Sequence, residues 1–185
     1  MGRHGQTETA GRLVRGVFLD RDGVLTRSLT RGGRPYAPTT LEDFELLPGA
    51  REGVARLHEA GFCLVVVTNQ PDVGAGRLRR EVVEQMHACL RAWLPLDDIK
   101  VCCHTDADGC NCRKPKPGML LEAAKERGID LSRAFMVGDR WRDVSAGRAA
   151  GCKTIFVDYG YTEPLVDQPD FVVTSLAEAA SIVLQ

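Results

Sequence analysis

The sequence predicts an α/β fold in which helices enclose a central parallel β-sheet. Three short apolar runs, residues 14–19, 62–67 and 134–138, are each followed by polar side chains. Near-continuous apolar runs are typical of strands that are buried on both faces, as in parallel sheets. Segments with helical patterns alternate with these runs, as in an α/β sheet. Because the carboxyl ends of such strands meet at one edge, we expect the polar side chains there to form one site.

The length of the chain indicates one domain. Of its 185 residues we assign residues 14–185 to this domain and residues 1–13 to a flexible N-terminal arm. Residues 3–7 of the arm, Arg-His-Gly-Gln-Thr, look like the phosphohistidine motif of phosphoglycerate mutases. No apolar strand precedes them to position the histidine, so we interpret this histidine as an exposed side chain of a frayed terminus.

Charge and cysteine content limit the partners. A net charge of −1 gives no electrostatic reason to expect nucleic acid or an anionic membrane. No apolar run approaches the ~20 residues that span a bilayer, and residues 1–15 lack the apolar segment of a secretory signal. Seven cysteines, four of them between positions 102 and 112, fit a metal site in a reducing compartment better than a disulfide framework. We expect a cytoplasmic monomer that acts on a small molecule.

Two carboxylates follow the first strand. Asp20 and Asp22 are two residues apart, so their side chains project to the same side. Two like charges this close repel each other unless a cation or a shared proton intervenes, and Mg²⁺ suits such a pair. Gly23 allows the backbone to turn away sharply. The alternative is a solvated turn, since Asp and Gly are ordinary turn residues.

The polar segment 26–42 is too short for a separate cap domain. It is rich in Gly, Pro, Thr and Arg. Residues 31–36, which end in Tyr36, either lie over the site as a basic flap or form an ordinary surface loop. Tyr36 is a candidate substrate contact in the first case.

A helix, a strand and a second helix follow in order. Residues 48–60 form a helix that Gly61 ends, and the strand at 62–70 ends in Thr68, Asn69 and Gln70. Thr68 and Asn69 either donate hydrogen bonds to an anion or cap the turn. After a glycine-bearing loop at 71–76, residues 77–93 form a helix. Its predicted inner face consists of Val82, Met86, Leu90 and Trp93.

A cysteine- and histidine-rich loop follows the next strand, residues 99–102. A Cys-x-His pair is followed six residues later by Cys-x-Cys, which offers three thiolates and one imidazole. This is a usual tetrahedral set for structural Zn²⁺. The four predicted ligands are Cys102, His104, Cys110 and Cys112. The side chain of Cys103 would point away from the metal, and the alternative is a set of free thiols.

Cations and further carboxylates complete the predicted site. Arg113 and Lys114 directly follow the zinc loop and could bind anionic groups. A helix at 117–127 ends at Gly128, and the strand at 134–139 ends in Asp139. Asp139 either completes a cation site with Asp20 and Asp22 or caps the helix at 141–150. Asp143 lies one helical turn after Asp139. The remaining predicted elements are strands at 153–157 and 170–173 and a helix at 176–184.

Together these strand ends favour phosphoryl transfer. They supply a carboxylate nucleophile, a neighbouring carboxyl group for proton transfer, a cation site and positively charged donors. Such a set suits a reaction that proceeds through an aspartyl-phosphate.

The order of the motifs resembles a known superfamily. Four segments resemble, in order, the four motifs of haloacid dehalogenase phosphatases: Asp20-Arg21-Asp22-Gly23, Thr68-Asn69-Gln70, Lys114, and Gly138-Asp139 with Asp143. The Cys-x-His and Cys-x-Cys pairs with the following Arg-Lys-Pro-x-Pro-Gly-Met are similar to the heptose 1,7-bisphosphate 7-phosphatases and their histidinol-phosphatase relatives. The resemblance covers residues 14–157. It implies a Rossmann-like three-layer sandwich with a minimal cap, reduced to a loop flap, and a small zinc-stapled loop.

The resemblance also implies roles for the residues. Asp20 would be the nucleophile, and Asp22 would protonate the leaving alcohol and then activate water. Mg²⁺ would lie between Asp20, the backbone carbonyl of Asp22, and Asp139. The other implied contacts are Thr68 and Lys114 to the phosphoryl oxygens; Asn69, Gln70 and Arg113 to the sugar or a second phosphate; and Arg140 to substrate or metal.

Two departures from the resemblance lie on the substrate side. Residues 71–76 read Pro-Asp-Val-Gly-Ala-Gly, where the heptose enzymes tend to have Ser-Gly-Ile-Ala-Arg-Gly, and the flap is long and contains Arg27, Arg31 and Arg34. Histidinol phosphate or another small phosphomonoester is therefore an alternative substrate. An inactive, zinc-stapled binding module is the alternative from a different class.

Overall fold

The computed structural model describes residues 13–185. The predicted arm, apart from Leu13, and the Arg-His-Gly-Gln-Thr segment lie outside the described residues. The strands are β1 (Gly16–Leu19), β2 (Leu29–Arg31), β3 (Arg34–Tyr36), β4 (Cys63–Asn69), β5 (Asp98–Cys102), β6 (Phe135–Gly138), β7 (Lys153–Val157) and β8 (Phe171–Val173). The α-helices are α1 (Ala50–Glu59), α2 (Pro71–Gly74), α3 (Arg80–Trp93), α4 (Gly118–Arg127), α5 (Trp141–Ala150) and α6 (Leu176–Val183).

Six of the strands form one parallel sheet in the order β5-β4-β1-β6-β7-β8. The strand β1 lies at its centre, where Leu19 is paired with Val66 of β4 and with Val137 of β6. The chain that follows β1 therefore emerges between the ends of β4 and β6. The predicted parallel sheet, and the meeting of its three polar strand ends at one edge, are confirmed.

Each face of the sheet is covered by its own apolar core. Val17 and Leu19 of β1 point to one face, where they pack with residues of α1, α3 and α6. Phe18 points to the other face and packs with residues of α4 and α5. This alternation follows from the pleat of the strand, and it explains why β1 is apolar throughout. The result is the predicted three-layer α/β sandwich.

The predicted helix ends agree with the structure where a glycine marks them. Gly128 and Gly151 adopt left-handed backbone conformations, with φ of 65° and 85°, directly after α4 and α5. This conformation suits glycine and closes the last helical turn. None of the helices within residues 13–185 is long and apolar enough to cross a bilayer.

Three local predictions need correction. The flap contains an antiparallel hairpin, β2–β3, whose turn is made by Gly32 and Gly33, both with positive φ. The short helix α2 replaces the expected loop at 71–76, because Pro71 is well suited to the first turn of a helix. The buried face of α3 also contains Val83 and His87, so the inner face is rotated relative to the one predicted.

Two adjacent leucines of α4 test how the second core stabilises the sheet. Leu120 is fully buried, whereas Leu121 is 45% exposed. We expect Leu120→Ala to lower the free energy of unfolding by about 2–5 kcal/mol, because it leaves a cavity under β4 and β6. The matched change Leu121→Ala should cost less than about 1 kcal/mol. Urea denaturation of both variants measures the difference, and equal losses would contradict this packing.

Candidate active site

The polar strand ends surround one cleft of about 340 Å³. All of the residues predicted to be catalytic or to contact substrate line this cleft: Asp20, Asp22, Tyr36, Thr68, Asn69, Gln70, Arg113, Lys114, Asp139 and Arg140. They come from five separate segments of the chain. The topology of the central sheet brings four of these segments together, and Tyr36 comes from the flap hairpin.

A cluster of three carboxylates forms the floor of the cleft. One side-chain oxygen each of Asp20, Asp139 and Asp143 can be chosen so that all three lie within 4.8 Å of one another, and all three residues are buried. Both carboxylate oxygens of Asp139 are buried without a hydrogen-bond partner. A buried anionic oxygen without a donor is costly unless it is neutralised. The donor set therefore fits a hard divalent cation such as Mg²⁺.

The pKa values of Asp20 and Asp139 reflect the burial of these carboxyl groups close to one another. Burial, followed by the charge of Asp143, raises the pKa of Asp20 to about 7, although Lys114 opposes the shift. Burial and the charges of Asp20 and Asp143 raise the pKa of Asp139 well above its usual range. These carboxylates repel one another, and added positive charge would relieve the repulsion.

Lys114 is the cation within the cluster. Its Nζ lies 2.9 Å from Asp20 Oδ1 and 2.5 Å from Asp143 Oδ1, and it donates to the carbonyl oxygen of Val67 at 2.7 Å. Burial alone would lower the pKa of Lys114, but Asp143 and Asp20 raise it to about 12. The ammonium thus remains charged beside the oxygens of Asp20.

Asn69 holds the backbone of Lys114 in place. Its Nδ2 donates to the carbonyl oxygen of Lys114 at 3.0 Å, and its Oδ1 accepts from the Lys114 N–H at 3.1 Å. Asn69 was expected to face the substrate. Although it lines the cleft, its amide group is engaged by Lys114, so its contacts in this structure are those of a backbone clamp.

Asp22 lies on the same rim but belongs to a different hydrogen-bond network. Its carboxylate accepts from Arg21, from Thr26 Oγ1 at 3.1 Å and from Gln70 Nε2 at 2.9 Å. The same Gln70 nitrogen donates to Thr68 Oγ1 at 3.0 Å. The side chain of Asp22 is therefore not part of the carboxylate cluster. That the backbone carbonyl of Asp22 contributes to the cation site remains a prediction.

The flap reaches the cleft. Arg34, Pro35 and Tyr36 line it, and the hairpin turn is anchored where the Thr162 N–H donates to the Gly33 carbonyl oxygen at 3.1 Å. Of the two interpretations of residues 31–36, the structure therefore favours the flap over the ordinary surface loop. Tyr36 is 48% exposed and has room to contact a ligand.

Most arginines on the cleft wall are already paired. Arg113 and Arg142 both contact Asp106, and Arg140 pairs with Glu163. Neither Asp106, which lies between the predicted zinc ligands, nor Glu163 was identified as an arginine partner, because no local pattern predicts these pairings.

The four predicted zinc ligands also converge. The Sγ atom of Cys112 lies 3.3 Å from that of Cys102 and 3.4 Å from that of Cys110, and His104 Nδ1 lies 3.3 Å from Cys112 Sγ. All seven cysteines are free thiols, and Cys103 is outside the cluster, as expected. Three sulfurs and one imidazole nitrogen this close fit a tetrahedral Zn²⁺ site.

The fold and the cleft together define a class of protein. The cleft has the arrangement of a haloacid dehalogenase-like hydrolase: an Asp-x-Asp pair after the central strand, a threonine on β4, a lysine beside them and a Gly-Asp pair at the end of β6. A family model described as HAD-hyrolase-like matches residues 111–179.

Comparison with known proteins narrows the class. The chain is 36% identical over 178 residues to the D-glycero-beta-D-manno-heptose-1,7-bisphosphate 7-phosphatase of Pseudomonas aeruginosa, covering 91% of this chain and 97% of that protein. It is 33% identical to the D-glycero-D-manno-heptose-1,7-bisphosphate 7-phosphatase of Thermosynechococcus vestitus, covering 88% and 92%. The crystal structure of D,D-heptose 1,7-bisphosphate phosphatase from B. bronchiseptica, complexed with magnesium and phosphate, matches with a TM-score of 0.79 and 30% identity, covering 92% and 98%. The chain belongs to the D-glycero-D-manno-heptose-1,7-bisphosphate 7-phosphatase family.

His87 gives the site a measurable pH dependence of stability. Burial, followed by the charges of Arg21 and Arg91, lowers the pKa of His87 to about 4, and Asp22 opposes this shift. The unfolded chain thus binds a proton below about pH 6.5 that the folded chain does not. We expect the free energy of unfolding to fall on the order of 3 kcal/mol more between pH 6.5 and pH 4 in the wild type than in His87→Gln. Urea denaturation at several pH values measures both slopes, and parallel slopes would contradict a buried neutral His87.

Proposed function

We propose that the protein is a Mg²⁺-dependent phosphatase that removes the 7-phosphate of D-glycero-D-manno-heptose 1,7-bisphosphate through an aspartyl-phosphate. The observation that carries the proposal is the placement of the Lys114 ammonium 2.9 Å from Asp20 Oδ1, at the floor of a cleft that also contains Asp139 and Asp143. The family to which the chain belongs supports the choice of substrate.

Mg²⁺ would be held by the carboxylates of Asp20 and Asp139 and by the backbone carbonyl of Asp22. When bound, it neutralises negative charge on the transferring phosphoryl group and on the carboxylates around it. The two unpartnered oxygens of Asp139 support this assignment. Asp143 forms an ion pair with Lys114, and its negative charge would also help to balance the positive charge of the ion.

The positions of the side chains support the following reaction. Asp20 attacks phosphorus, while Lys114 and Thr68 stabilise the phosphoryl oxygens. Asp22 gives a proton to the leaving alcohol and then takes one from the water that hydrolyses the aspartyl-phosphate. Asp22 thus returns to its starting state after each turnover.

Several arginines line the substrate side of the cleft. Arg34, Arg113 and Arg140 line it beside Tyr36 and Gln70, and these residues would contact the sugar or its second phosphate. A bisphosphate offers more anionic groups to these arginines than a monophosphate does. The proposed enzyme is a monomer that acts on a small molecule.

Zn²⁺ would be bound by Cys102, His104, Cys110 and Cys112 in a closed, structural site. The loop that it staples leads directly into Arg113 and Lys114, so the metal would position a catalytic residue without taking part in the chemistry. Thiolate ligands remain available in a reducing compartment, which supports a cytoplasmic enzyme.

Substitution of the nucleophile tests the proposed chemistry. We expect Asp20→Asn to lower kcat at least about 10³-fold, since the amide is a poor nucleophile, whereas the exposed control Asp43→Asn should stay within about twofold. Phosphate release in the presence of Mg²⁺ is measured on the heptose bisphosphate, on histidinol phosphate and on simple sugar monophosphates.

The substrate panel separates the alternatives. The highest kcat/KM on the heptose bisphosphate supports the proposal, and a preference for histidinol phosphate would move the protein to that activity. Inactivity on every ester would indicate a binding module. Wild-type turnover by Asp20→Asn would refute the assignment of the nucleophile.

Metal analysis tests the zinc site with a matched pair of cysteines. We expect about one zinc per wild-type chain, much less in Cys112→Ser, and an unchanged content in Cys103→Ser, whose thiol lies outside the cluster. Cys112→Ser should also lower the melting temperature. If both variants keep their zinc, or if the wild type has none, the four-ligand assignment is wrong.

A further inference from the structure

Arg21 lies between the two aspartates of the central motif and is completely buried. Its exposed fraction is 0%, and it is the largest fully buried side chain among residues 13–185. A buried guanidinium carries five N–H donors and no acceptor, so it is costly unless it is paired. The proposed chemistry gives Arg21 no direct role, so its burial needs another explanation.

One side of the guanidinium grips Asp22. Arg21 Nε lies 3.0 Å from Asp22 Oδ1 and 3.1 Å from Oδ2, and Nη2 lies 2.8 Å from Oδ2. This two-pronged contact fixes both the position and the plane of the carboxylate. The contact comes from the adjacent residue in the chain, whose own side chain is fully buried.

The other side of the guanidinium contacts His87 on α3. Arg21 Nη1 lies 3.3 Å from His87 Nε2, and the guanidinium carbon lies 5.3 Å from the centre of the Phe44 ring. Because arginine can only donate, Nε2 must be the acceptor, and a neutral imidazole then carries its proton on Nδ1. Burial and the nearby charges of Arg21 and Arg91 keep the ring neutral by lowering its pKa to about 4.

We propose that His87 and Arg21 form a buried positioning pair that orients the Asp22 carboxylate for proton exchange with the leaving alcohol. The proposal rests on the phosphatase chemistry described above. His87 accepts a hydrogen bond from the Arg21 guanidinium and thereby orients it, and the guanidinium holds the Asp22 carboxylate in position. Neither residue lines the cleft, so both are positioning residues.

The pair acts through Asp22, and its effect on the first half of the reaction depends on the leaving group. As the phosphorus–oxygen bond to the alcohol breaks, the proton of Asp22 moves to the leaving oxygen, and Arg21 holds the carboxylate that results. An alkoxide is a poor leaving group and needs this proton, whereas a nitrophenolate leaves without it. A misaligned Asp22 therefore slows the cleavage of a sugar phosphate more than that of an aryl phosphate.

Two variants of His87 isolate the hydrogen bond from packing. His87→Gln can place an amide oxygen near the position of Nε2 and accept from Arg21, whereas His87→Leu fills similar space without an acceptor. The quantity measured is kcat/KM with Mg²⁺, which reports the steps up to release of the alcohol or phenol. The two probes are the heptose bisphosphate and p-nitrophenyl phosphate.

We expect His87→Leu to lower kcat/KM on the heptose bisphosphate about tenfold and on p-nitrophenyl phosphate less than about threefold, since a positioned general acid typically contributes ~10²–10⁴-fold. His87→Gln should stay within about twofold of the wild type on both. Equal losses on both esters, or a loss in His87→Gln as large as in His87→Leu, would overturn the proposal. Inactivity of the wild type on both esters would instead overturn the phosphatase function.

A measurement on the wild type keeps the proposal testable if His87→Leu does not fold. In ¹⁵N NMR spectra at neutral pH, the His87 ring should be neutral, with its proton on Nδ1 and a bare Nε2. A proton on Nε2 would contradict the hydrogen bond from Arg21 and with it the positioning pair.

Discussion

The structure depends on one electrostatic constraint: three buried carboxylates share a cleft with a single ammonium group. Asp20, Asp139 and Asp143 converge there, and the ammonium of Lys114 contacts Asp20 and Asp143. Burial makes every uncompensated charge expensive, and the raised pKa values of Asp20 and Asp139 express that cost. The fold thus maintains a site that is stabilised by added positive charge and is suited to hold a dianionic phosphoryl group beside a cation.

Separate structural features hold Lys114 in position. Asn69, at the end of β4, clamps the backbone on both sides of Lys114 through two hydrogen bonds. The cysteine and histidine cluster closes the loop that leads into Lys114, and Lys116 adds hydrogen bonds to the carbonyl oxygens of Gly109 and Cys110 at 2.8 Å each. This loop has little core of its own, so a bound metal would determine its geometry. The candidate zinc site and Lys114 are therefore structurally linked.

The sequence predicted the elements whose cause is local. The buried strands, the glycine-terminated helices and the cluster of three cysteines and one histidine follow from runs, spacings and stop signals that occur within a few residues of one another. The parallel order then brought Asp20, Thr68 and Asp139 together, as expected. Two of the missed contacts join distant segments: Arg140 with Glu163, and Arg21 with His87. The third, between Arg113 and Asp106, spans only seven residues, but it lies in an irregular loop whose residue spacing predicts no side-chain contact. No local pattern marks His87 as a partner of Arg21. His87 occupies an ordinary position on α3, and the predicted inner face of that helix did not include it.

Titration of Mg²⁺ into the protein by calorimetry at neutral pH tests the central electrostatic claim most directly. The carboxylate cluster predicts one Mg²⁺ site in the wild type and an affinity weakened at least roughly tenfold in Asp139→Asn, which removes the charge of the residue whose two oxygens have no partner. Equal Mg²⁺ affinity in the two proteins, or no binding by the wild type, would contradict the account.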